Sequence, residues 1–318
     1  MINAMSYVVV STPHLAAWLE QAGKHVGLQV EVVQPDVCAR LRMDEKVQRL
    51  LVFAAEDKAL AMGYEVPAQA DLAQVRAALE DAGYPTAPGT DEERRLRGVA
   101  EFFHFRDPDG NRIEVAWNLG AADSAFQPGR PIGGFRTGDM GIGHVALMTA
   151  HFERMCHLYK EVLGFQVSDR AKAPFKVEFL HVNPRHHTIG IADTGTGAGI
   201  YHLMLEYNDF DDVGRAYDMA LENPESIGVT LGRHINDHVT SFYLKNPDGW
   251  MFELGWAART IGPDWVVEEL PGMSLWGHDR TWLPPEKRAE ARRILRRLAD
   301  SGLRAPVVTH TQTAKANQ

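Results

Sequence analysis

The sequence predicts an α+β protein with mixed sheets, built from a duplicated unit. Residues 105–117, around a Pro-Asp-Gly turn, are echoed by residues 244–256, and residues 26–30 by residues 163–167. Each helical segment is followed by two or three short strand-like runs, an order typical of α+β modules and not of a doubly wound parallel sheet. Length and composition agree, because 318 residues with 45% hydrophobic side chains can bury the core of one large domain or of two medium ones.

The repeated turns predict one β-hairpin in each half. They read Asp-Pro-Asp-Gly at residues 107–110 and Asn-Pro-Asp-Gly at residues 246–249. Proline fixes φ near −65°, and glycine readily adopts the positive φ of a tight turn. Because β-rich runs flank both turns, the sequence predicts two antiparallel pairs: residues 99–105 with 111–117, and residues 240–244 with 250–254.

Helices are predicted where apolar residues recur with helical spacing and a Gly or Asn follows. Four segments fit: residues 15–27, 72–83, 152–164 and 212–223. A stretch rich in Gly and Pro, residues 118–140, separates the two halves and is interpreted as a linker. The predicted domains are residues 1–135 and 136–283, followed by a tail, residues 284–318.

The tail is basic, unlike the rest of the chain. Residues 284–318 contain eight Lys or Arg and three Asp or Glu, whereas the whole chain has a formal charge of −9. Pro285 can begin a helix, and Ile294 and Leu298 would belong to its narrow apolar stripe. We expect a solvated helix docked on the body, with an anion-binding or oligomer-contact arm as the alternative, and a frayed end over residues 309–317.

Composition narrows the function classes. The 42 acidic residues outnumber the 33 basic ones, which disfavours nucleic-acid binding because that requires a cationic surface. Neither a signal-peptide pattern nor a run of about 18 apolar residues occurs, so we expect no membrane association. Cys38 and Cys156 provide neither a disulfide framework nor a Cys-x-x-Cys site, and no glycine-rich nucleotide motif follows a strand. These features predict a cytoplasmic protein.

Candidate metal ligands are concentrated in the second half. His144 and His202 each begin a strand-like run, and Glu253 lies in the strand after the second hairpin. Only Glu253 keeps its residue type in the first half, as Glu114, whereas Tyr7 corresponds to His144. Two imidazoles and one carboxylate leave coordination positions open, which suits Fe(II) with O2 and a chelating substrate and would also accept Mn(II). The alternative is that these histidines are ordinary core residues.

The sequence around the second hairpin resembles the type I extradiol ring-cleavage dioxygenases of the vicinal oxygen chelate superfamily, especially the 2,3-dihydroxybiphenyl 1,2-dioxygenase group. The resemblance rests on Leu-Gly-Arg-His-Ile-Asn-Asp-His-Val-Thr-Ser-Phe-Tyr at residues 231–243 and Glu-Leu-Gly-Trp at residues 253–256. Three further motifs support it: Gly-His-Val-Ala-Leu at 143–147, Asn-Pro-Arg-His-His-Thr-Ile-Gly at 183–190 and Leu-Trp-Gly-His at 275–278. It spans about residues 1–282.

This resemblance implies an architecture and a metal site. Each domain would consist of two βαβββ modules, and the C-terminal domain alone would bind a non-haem Fe(II), the N-terminal domain being a metal-free copy. The implied ligands are His144, His202 and Glu253. The implied reaction is extradiol cleavage of a 3-substituted catechol, in which both atoms of O2 enter a ring-opened hydroxy-keto-dienoic acid.

The resemblance also assigns four catalytic residues. His187 would form a hydrogen bond to O2 and donate a proton as the O–O bond breaks, with the adjacent His186 as the alternative. His234 and Tyr243 would hold the two catechol oxygens. Asp237 would orient His234 or its neighbours.

The expected substrate is a bulky or bicyclic catechol such as 2,3-dihydroxybiphenyl. A glycine-rich run, residues 194–199, could admit a larger ring. Five apolar residues could line the pocket: Phe175, Val177, Phe179, Ile191 and Ile200. The alternatives are dihydroxynaphthalene and a carboxylated or alkylated monocyclic catechol. Arg185 and Lys172 could pair with such a carboxylate, but we expect them to be solvated surface charges.

Two further protein classes use the same modules. In a metal-dependent glyoxalase or isomerase, His187, His234 and Tyr243 would have no evident purpose, and a metal-free drug-sequestering protein would not need the ligand triad. We therefore expect an enzyme that binds a small catechol and O2. Like the proteins it resembles, it is expected to assemble as a homo-oligomer.

Overall fold

The computed structural model describes residues 1–306 and contains two large mixed sheets. Eight strands form the first sheet: β1 (Ala4–Thr12), β2 (Gln29–Gln34), β3 (Cys38–Arg42), β4 (Leu50–Ala54), β5 (Ala59–Val66), β6 (Ala87–Pro88), β7 (Val99–Arg106) and β8 (Arg112–Leu119). Their order across the sheet is β2-β3-β4-β1-β5-β8-β7-β6. The predicted frayed end, residues 309–317, lies outside the described residues.

The second sheet has ten strands and repeats the plan of the first. They are β9 (His144–Met148), β10 (Gln166–Ala171), β11 (Lys176–His181), β12 (Ile189–Asp193), β13 (Gly199–Tyr207), β14 (Ile227–His234), β15 (Thr240–Lys245), β16 (Met251–Trp256), β17 (Glu268–Leu270) and β18 (Ser274–Gly277). Their order is β17-β10-β11-β12-β9-β13-β16-β15-β14-β18, so β17 and β18 extend the repeated eight-strand pattern at its two edges.

Six α-helices connect or cover the strands: α1 (Leu15–Glu20), α2 (Gln69–Asp81), α3 (Asp91–Arg97), α4 (Phe152–His157), α5 (Phe210–Leu221) and α6 (Pro285–Asp300). Helices α1 and α4 continue as π-helical turns over Gln21–Val26 and Leu158–Val162. Short 3-10 turns occupy Gly138–Met140 and Pro224–Ser226. Within residues 1–306, none of the helices has both the length and the apolar character needed to span a membrane.

Each sheet is assembled from two βαβββ modules. The first strands of the two modules pair antiparallel at the centre of the sheet, β1 with β5 and β9 with β13. The last strand of each module returns parallel to its first strand, as β16 does beside β13. The predicted fold class, α+β with two modules in each half, is confirmed.

The predicted hairpins and helices are found close to their expected positions. Strands β7 and β8 pair antiparallel, as do β15 and β16. Gly110 and Gly249, which end the two repeated turns, have φ of 84° and 96°. Helix α3 and the short edge strands β17 and β18 were not predicted. The exact domain boundaries at residues 135 and 283 stay predictions.

The two halves share one hydrophobic core. Aromatic rings of both halves meet there, with the Tyr64 ring centroid 6.2 Å from that of Tyr159 and 5.5 Å from that of Phe165. A second, smaller cluster lies beneath α6, where Ile294 and Leu298 are buried on one face of the helix. Helix α6 therefore docks on the body through the apolar stripe that the sequence indicated.

Candidate metal centre and substrate pocket

Three adjacent strands of the second sheet bring together His144, His202 and Glu253. The register places His144 opposite Met204 on β13, and Met204 in turn beside Glu253 on β16. His144 Nε2 lies 3.0 Å from His202 Nε2, and Glu253 Oε2 lies 3.0 Å from His202 Nε2 and 3.3 Å from His144 Nε2. All three side chains are buried. Three possible ligand atoms thus converge on one point.

The chemistry of these three atoms fits a divalent cation. Burial lowers the pKa of His202 to about 4 although Glu253 opposes the shift. Burial alone would raise the pKa of Glu253, but the facing imidazoles and their hydrogen bonds lower it well below its ordinary value. A carboxylate and imidazole lone pairs are the forms that bind metals. Among residues 1–306, one other group of potential ligands is close enough to hold a metal, and it shares His144 with this one: His144, His187 and Asp237.

His187 packs directly against a candidate ligand. Its ring centroid lies 3.8 Å from that of His144 and 4.9 Å from that of Phe179. Its Nδ1 is 3.1 Å from Nδ1 of His186, whose Nε2 is 2.8 Å from Asp169 Oδ2. Burial, reinforced by His144, lowers the pKa of His187 well below its ordinary value. The structure therefore places His187 inside the pocket and His186 behind it.

His234 and Tyr243 form a hydrogen-bonded pair beside Glu253. His234 Nε2 lies 2.8 Å from the Tyr243 hydroxyl and 3.3 Å from Glu253 Oε1. The Nδ1 of His234 faces the Met273 carbonyl at 2.9 Å. Because that carbonyl can only accept, Nδ1 carries the donated proton. A neutral His234 would therefore accept at Nε2 from the tyrosine hydroxyl.

Asp237 lies against His187 and makes no hydrogen bond to His234 among the described residues. Its Oδ2 is 3.9 Å from Nδ1 of His187, and its Oδ1 accepts the backbone N–H of Val239 at 3.1 Å. Burial alone would lower the pKa of His234, but Glu253 raises it above its ordinary value. The charge of Asp237 contributes to this rise. Of the two expected roles, orientation of a neighbour is the one that the geometry favours.

Ser241 and His278 are among the polar residues around the site that sequence reasoning missed. Ser241 donates to Glu253 Oε1 at 2.6 Å. His278 packs on His234 with ring centroids 4.2 Å apart and is held by Ser274 Oγ at 2.9 Å. The motif at residues 275–278 could have indicated His278, whereas no sequence signal distinguished Ser241.

The cavity over the three candidate ligands has a volume of about 40 Å³ and is largely apolar on one side. Three of the five expected lining residues are there: Phe175, Val177 and Phe179. The expectation for the other two was wrong, because Ile191 and Ile200 pack in or against the main core instead. The glycine-rich run at residues 194–199 joins β12 to β13 and does not line the cavity.

The polar end of the cavity contains Arg280 and Tyr201. Burial raises the pKa of the Tyr201 hydroxyl, while the neighbouring Arg280 guanidinium and Trp282 indole lower it. The two cations proposed from sequence to meet a substrate carboxylate have partners of their own. Arg185 is buried and pairs with Glu206 at 2.7 Å, and Lys172 pairs at the surface with Glu269 at 2.7 Å.

The equivalent place in the first half contains an ion pair. Glu114, fully buried, binds Arg97 through two contacts of 2.6 and 2.7 Å and accepts the Tyr7 hydroxyl at 2.8 Å. Glu114 pairs in register with Gly63, and Ala61 lies two residues before Gly63. The corresponding position of the second half, two residues before the register partner of Glu253, is occupied by His202. No group of candidate metal ligands occurs in this part of the described chain. The N-terminal half thus has a guanidinium where its counterpart has open ligand atoms.

Comparison with known proteins agrees with this geometry. A family model described as the Glyoxalase/Bleomycin resistance protein/Dioxygenase superfamily matches residues 141–254. An iron-dependent extradiol dioxygenase from Rhodococcus jostii (strain RHA1) is 36% identical over 294 residues, which cover 87% of this chain and 97% of the relative. The chain belongs to the extradiol dioxygenases.

Other extradiol dioxygenases are similar over comparable lengths. A biphenyl-2,3-diol 1,2-dioxygenase from Paraburkholderia xenovorans (strain LB400) is 36% identical over 285 residues, covering 87% of this chain and 95% of the relative. The crystal structure of a halotolerant catechol dioxygenase superposes with a TM-score of 0.84 at 33% identity, covering 90% of this chain and 97% of that one. The match therefore extends over both halves of this extradiol dioxygenase.

Proposed function

We propose that this extradiol dioxygenase uses Fe(II), bound by His144 Nε2, His202 Nε2 and Glu253 Oε2, to cleave a 3-substituted catechol with O2. The observation that supports this most directly is the approach of these three buried atoms to within 3.3 Å of one another. One carboxylate and two imidazoles leave positions for a chelating diol and O2. Mn(II) fits the same donors and is the alternative metal.

The metal, when bound, would hold the catechol and O2 side by side and polarise both. Tyr243 and His234 would handle the diol. Their hydroxyl-to-imidazole hydrogen bond of 2.8 Å faces the cavity beside Glu253, so a catechol hydroxyl placed there can pass its proton to this pair. The Met273 carbonyl keeps the His234 ring in one orientation.

His187 would act on the oxygen side of the pocket. Its ring lies against His144 and Phe179, in the same cavity as the His234–Tyr243 pair. An imidazole N–H in that place can donate a hydrogen bond to O2 and return a proton as the O–O bond breaks. The apolar side chains around it exclude water that would compete for the same position.

The substrate that we propose is a bulky or bicyclic catechol. Phe175, Val177 and Phe179 offer an apolar wall suited to an aromatic substituent. A relative of similar length bears the name biphenyl-2,3-diol 1,2-dioxygenase, which supports the same class. A carboxylated or alkylated monocyclic catechol and dihydroxynaphthalene are the alternatives. A cytoplasmic location and a homo-oligomeric assembly stay predictions.

Oxygen uptake tests the proposal. The protein is purified anaerobically with Fe(II), 2,3-dihydroxybiphenyl is added, and O2 consumption is followed together with the yellow ring-opened product. We expect one O2 consumed for each molecule of product. Absence of uptake with this compound, with methylcatechols, with dihydroxynaphthalene and with carboxylated catechols, despite bound iron, would refute the proposal and favour a non-redox isomerase.

The variant His144→Ala distinguishes an oxygenase from a metal-free protein that only sequesters small molecules. An oxygenase should lose both bound iron and activity, because one of three ligands is removed. A protein that only sequesters small molecules should retain its affinity for them. Metal content and ligand binding by calorimetry are measured on the same preparations.

A further inference from the structure

Arg280 is a buried cation for which the described residues provide no counter-charge. Its side chain is 5% exposed and lines the cavity above the candidate metal centre. Nη1 donates to the His278 carbonyl at 3.0 Å, while Nε is buried without a hydrogen-bond partner. No carboxylate within residues 1–306 lies within 4.0 Å of the guanidinium. Burying an unpaired charge is costly, so such a group normally has a partner.

Other buried arginines of this chain follow that rule. Arg42 pairs with Glu31, Arg97 with Glu114 and Arg185 with Glu206. The exception among these buried guanidiniums therefore lies at the substrate cavity. A ligand group is the natural source of the missing charge.

Two further polar groups near Arg280 make no hydrogen bond of ordinary length within residues 1–306, although the Tyr201 oxygen faces both Arg280 and Trp282. The Tyr201 hydroxyl and the Trp282 indole nitrogen are buried without hydrogen-bond partners. The Tyr201 ring lies 5.1 Å from that of Trp282 and 5.8 Å from that of Tyr243. Guanidinium and indole N–H groups can only donate, and the hydroxyl can donate as well. Arg280 and Tyr201 line the cavity and Trp282 packs against Tyr201, so their donors match an acceptor with negative charge, such as a carboxylate.

The position of Arg280 also suits a substituent of the substrate. Arg280 and Met273 line both the 40 Å³ cavity and a second cavity of about 240 Å³ beneath α6. The second cavity has apolar walls that include Leu283, Ile294 and Leu295. It is also lined by Asp279, Arg288 and Arg292, and both arginines form ion pairs with Asp279. An apolar cavity of about 150 Å³ can hold a benzene ring. A catechol over the ligand triad could therefore extend past Met273 towards this space, with Arg280 at the boundary.

We propose that Arg280, with Tyr201 and Trp282, forms a subsite for a carboxylate on the substituent of the catechol substrate. The proposal rests on the function proposed above and narrows its substrate class to acidic 3-substituted catechols. Recognition by a guanidinium would be charge-assisted and directional. Arg280 is in this sense a specificity-determining residue and not a metal ligand.

Matched substrates test the subsite. The carboxylated compounds carry the acid either directly on the catechol ring or at the 2′, 3′ or 4′ position of 2,3-dihydroxybiphenyl, and each is compared with its methyl ester. We expect the wild-type enzyme to prefer at least one acid over its ester in kcat/KM. In R280M the kcat/KM for that acid should fall about 10- to 100-fold, as expected for loss of a hydrogen-bonded charge pair, while that for the ester changes less than about threefold. R280K should retain part of the preference, because it keeps the charge but loses the fork geometry.

A matched control is K172M, which removes an exposed lysine that already has Glu269 as its partner. It should leave the ratio of acid to ester unchanged. Binding of biphenyl carboxylates and their esters, which lack the diol, provides a calorimetric readout that does not depend on turnover. The acids should bind the wild type more tightly than R280M.

The outcomes separate this inference from the proposed function. Turnover of neutral catechols without any R280-dependent preference for an acid would overturn the subsite and leave the dioxygenase function standing. An equal loss for acids and esters in R280M would also overturn it, since Arg280 would then serve the fold or the diol. Failure of every catechol to consume O2 with iron bound would reject the proposed function, and the calorimetry would still decide whether Arg280 binds carboxylates.

Discussion

Glu114 and Glu253 occupy equivalent strand positions, yet their surroundings differ. Glu114 is saturated by Arg97 and by the Tyr7 hydroxyl, whereas Glu253 presents Oε2 to two imidazoles. A carboxylate beside a guanidinium needs no metal ion, because the guanidinium already provides the balancing positive charge. The neighbours of the two glutamates, and not the glutamates themselves, therefore distinguish the two strand positions.

Replacement of Glu114 by alanine should destabilise the protein strongly. Arg97 would remain buried without its partner, and breaking a buried ion pair from one side costs about 3–5 kcal/mol. Urea unfolding measures the loss of free energy. Glu80→Ala, at an exposed helix position, should leave the midpoint nearly unchanged. Iron content per folded molecule should stay at the wild-type level in both variants. A wild-type unfolding midpoint in E114A would contradict this account of Glu114.

Asp169 should act through His186 on His187. Asp169 Oδ2 is 2.8 Å from His186 Nε2, a contact that fixes the orientation of the His186 ring, whose Nδ1 lies 3.1 Å from Nδ1 of His187. In D169N we expect kcat to fall about tenfold or more, with KM and iron content little changed. Steady-state kinetics and metal analysis measure these effects.

The control for this prediction is D193N, which makes the same chemical change at an exposed end of β12. It should leave both kinetic constants unchanged. A change in KM alone for D169N, or a parallel loss of iron, would mean that the Asp169–His186 pair supports the fold or the metal and does not orient His187.

Sequence alone predicted the candidate ligands but not the full polar environment. His144, His202 and Glu253 could be inferred because strand-borne imidazoles and a carboxylate form a familiar donor set and lie in recognisable motifs. Arg280 could not, because its importance comes from lacking a partner, and partners are distant in sequence. The same reason explains why Arg185 was a wrong candidate: its partner, Glu206, is visible only in the fold.

Helices and strands with a regular local pattern were predicted from the sequence, whereas those that depend on distant partners were not. The hairpins and the larger helices follow from local turns and periodic apolar residues. Helix α3 is seven residues with few apolar side chains, although Thr90 and Glu93 form a capping box that could have indicated its start. Strands β17 and β18 have three and four residues and exist through pairing with β10 and β14. Such edges depend on distant partners that local sequence does not reveal.

Helix α6 is tied to the body by Asp279, and this contact should weaken in acid. Arg288 Nε donates to Asp279 Oδ1 at 2.8 Å, and Arg292 Nη2 lies 3.1 Å from Oδ2. The hydrogen bond from Arg288 lowers the pKa of Asp279 from 3.8 to about 2. A carboxyl group whose pKa is lowered by folding stabilises the protein at pH values above its ordinary pKa. This stabilisation is lost as the pH falls towards the folded-state pKa.

The variant D279N should therefore be less stable than the wild type at pH 7, and the difference should shrink between about pH 4 and pH 2. Partial exposure of the pair makes the effect small. Thermal unfolding across this pH range gives the comparison, with D300N, at the end of the same helix, as the control. A difference between D279N and the wild type that stays constant down to pH 2 would exclude titration of Asp279 as its cause.

At the scale of the molecule, the duplicated turns join the two halves. Asp248, in the turn of the second half, accepts Thr12 Oγ1 and Trp18 Nε1 of the first half, both at 2.8 Å. Asp109, in the turn of the first half, lies 2.7 Å from His151 Nδ1 of the second. The repetition of the turn was evident in the sequence. The hydrogen bonds that each turn makes to the other half were not, because the local sequence does not specify how two similar halves pack against each other.

Replacement of Asp248 by asparagine should cost more stability than the matching change at Asp109. Both carboxylate oxygens of Asp248 accept a hydrogen bond. In D248N the amide oxygen can still accept from Trp18 Nε1, but the amide nitrogen then faces the Thr12 hydroxyl, which must change from donor to acceptor. Both contacts also lose the carboxylate charge, at a combined cost of about 1–3 kcal/mol. In Asp109 one oxygen has no partner, and D109N can turn its amide group to keep the contact with His151.

Urea unfolding followed by tryptophan fluorescence compares the two variants. Since the halves share one core, each variant should unfold in a single transition. Equal losses in D248N and D109N, or separate transitions in D248N, would contradict a shared core reinforced by Asp248.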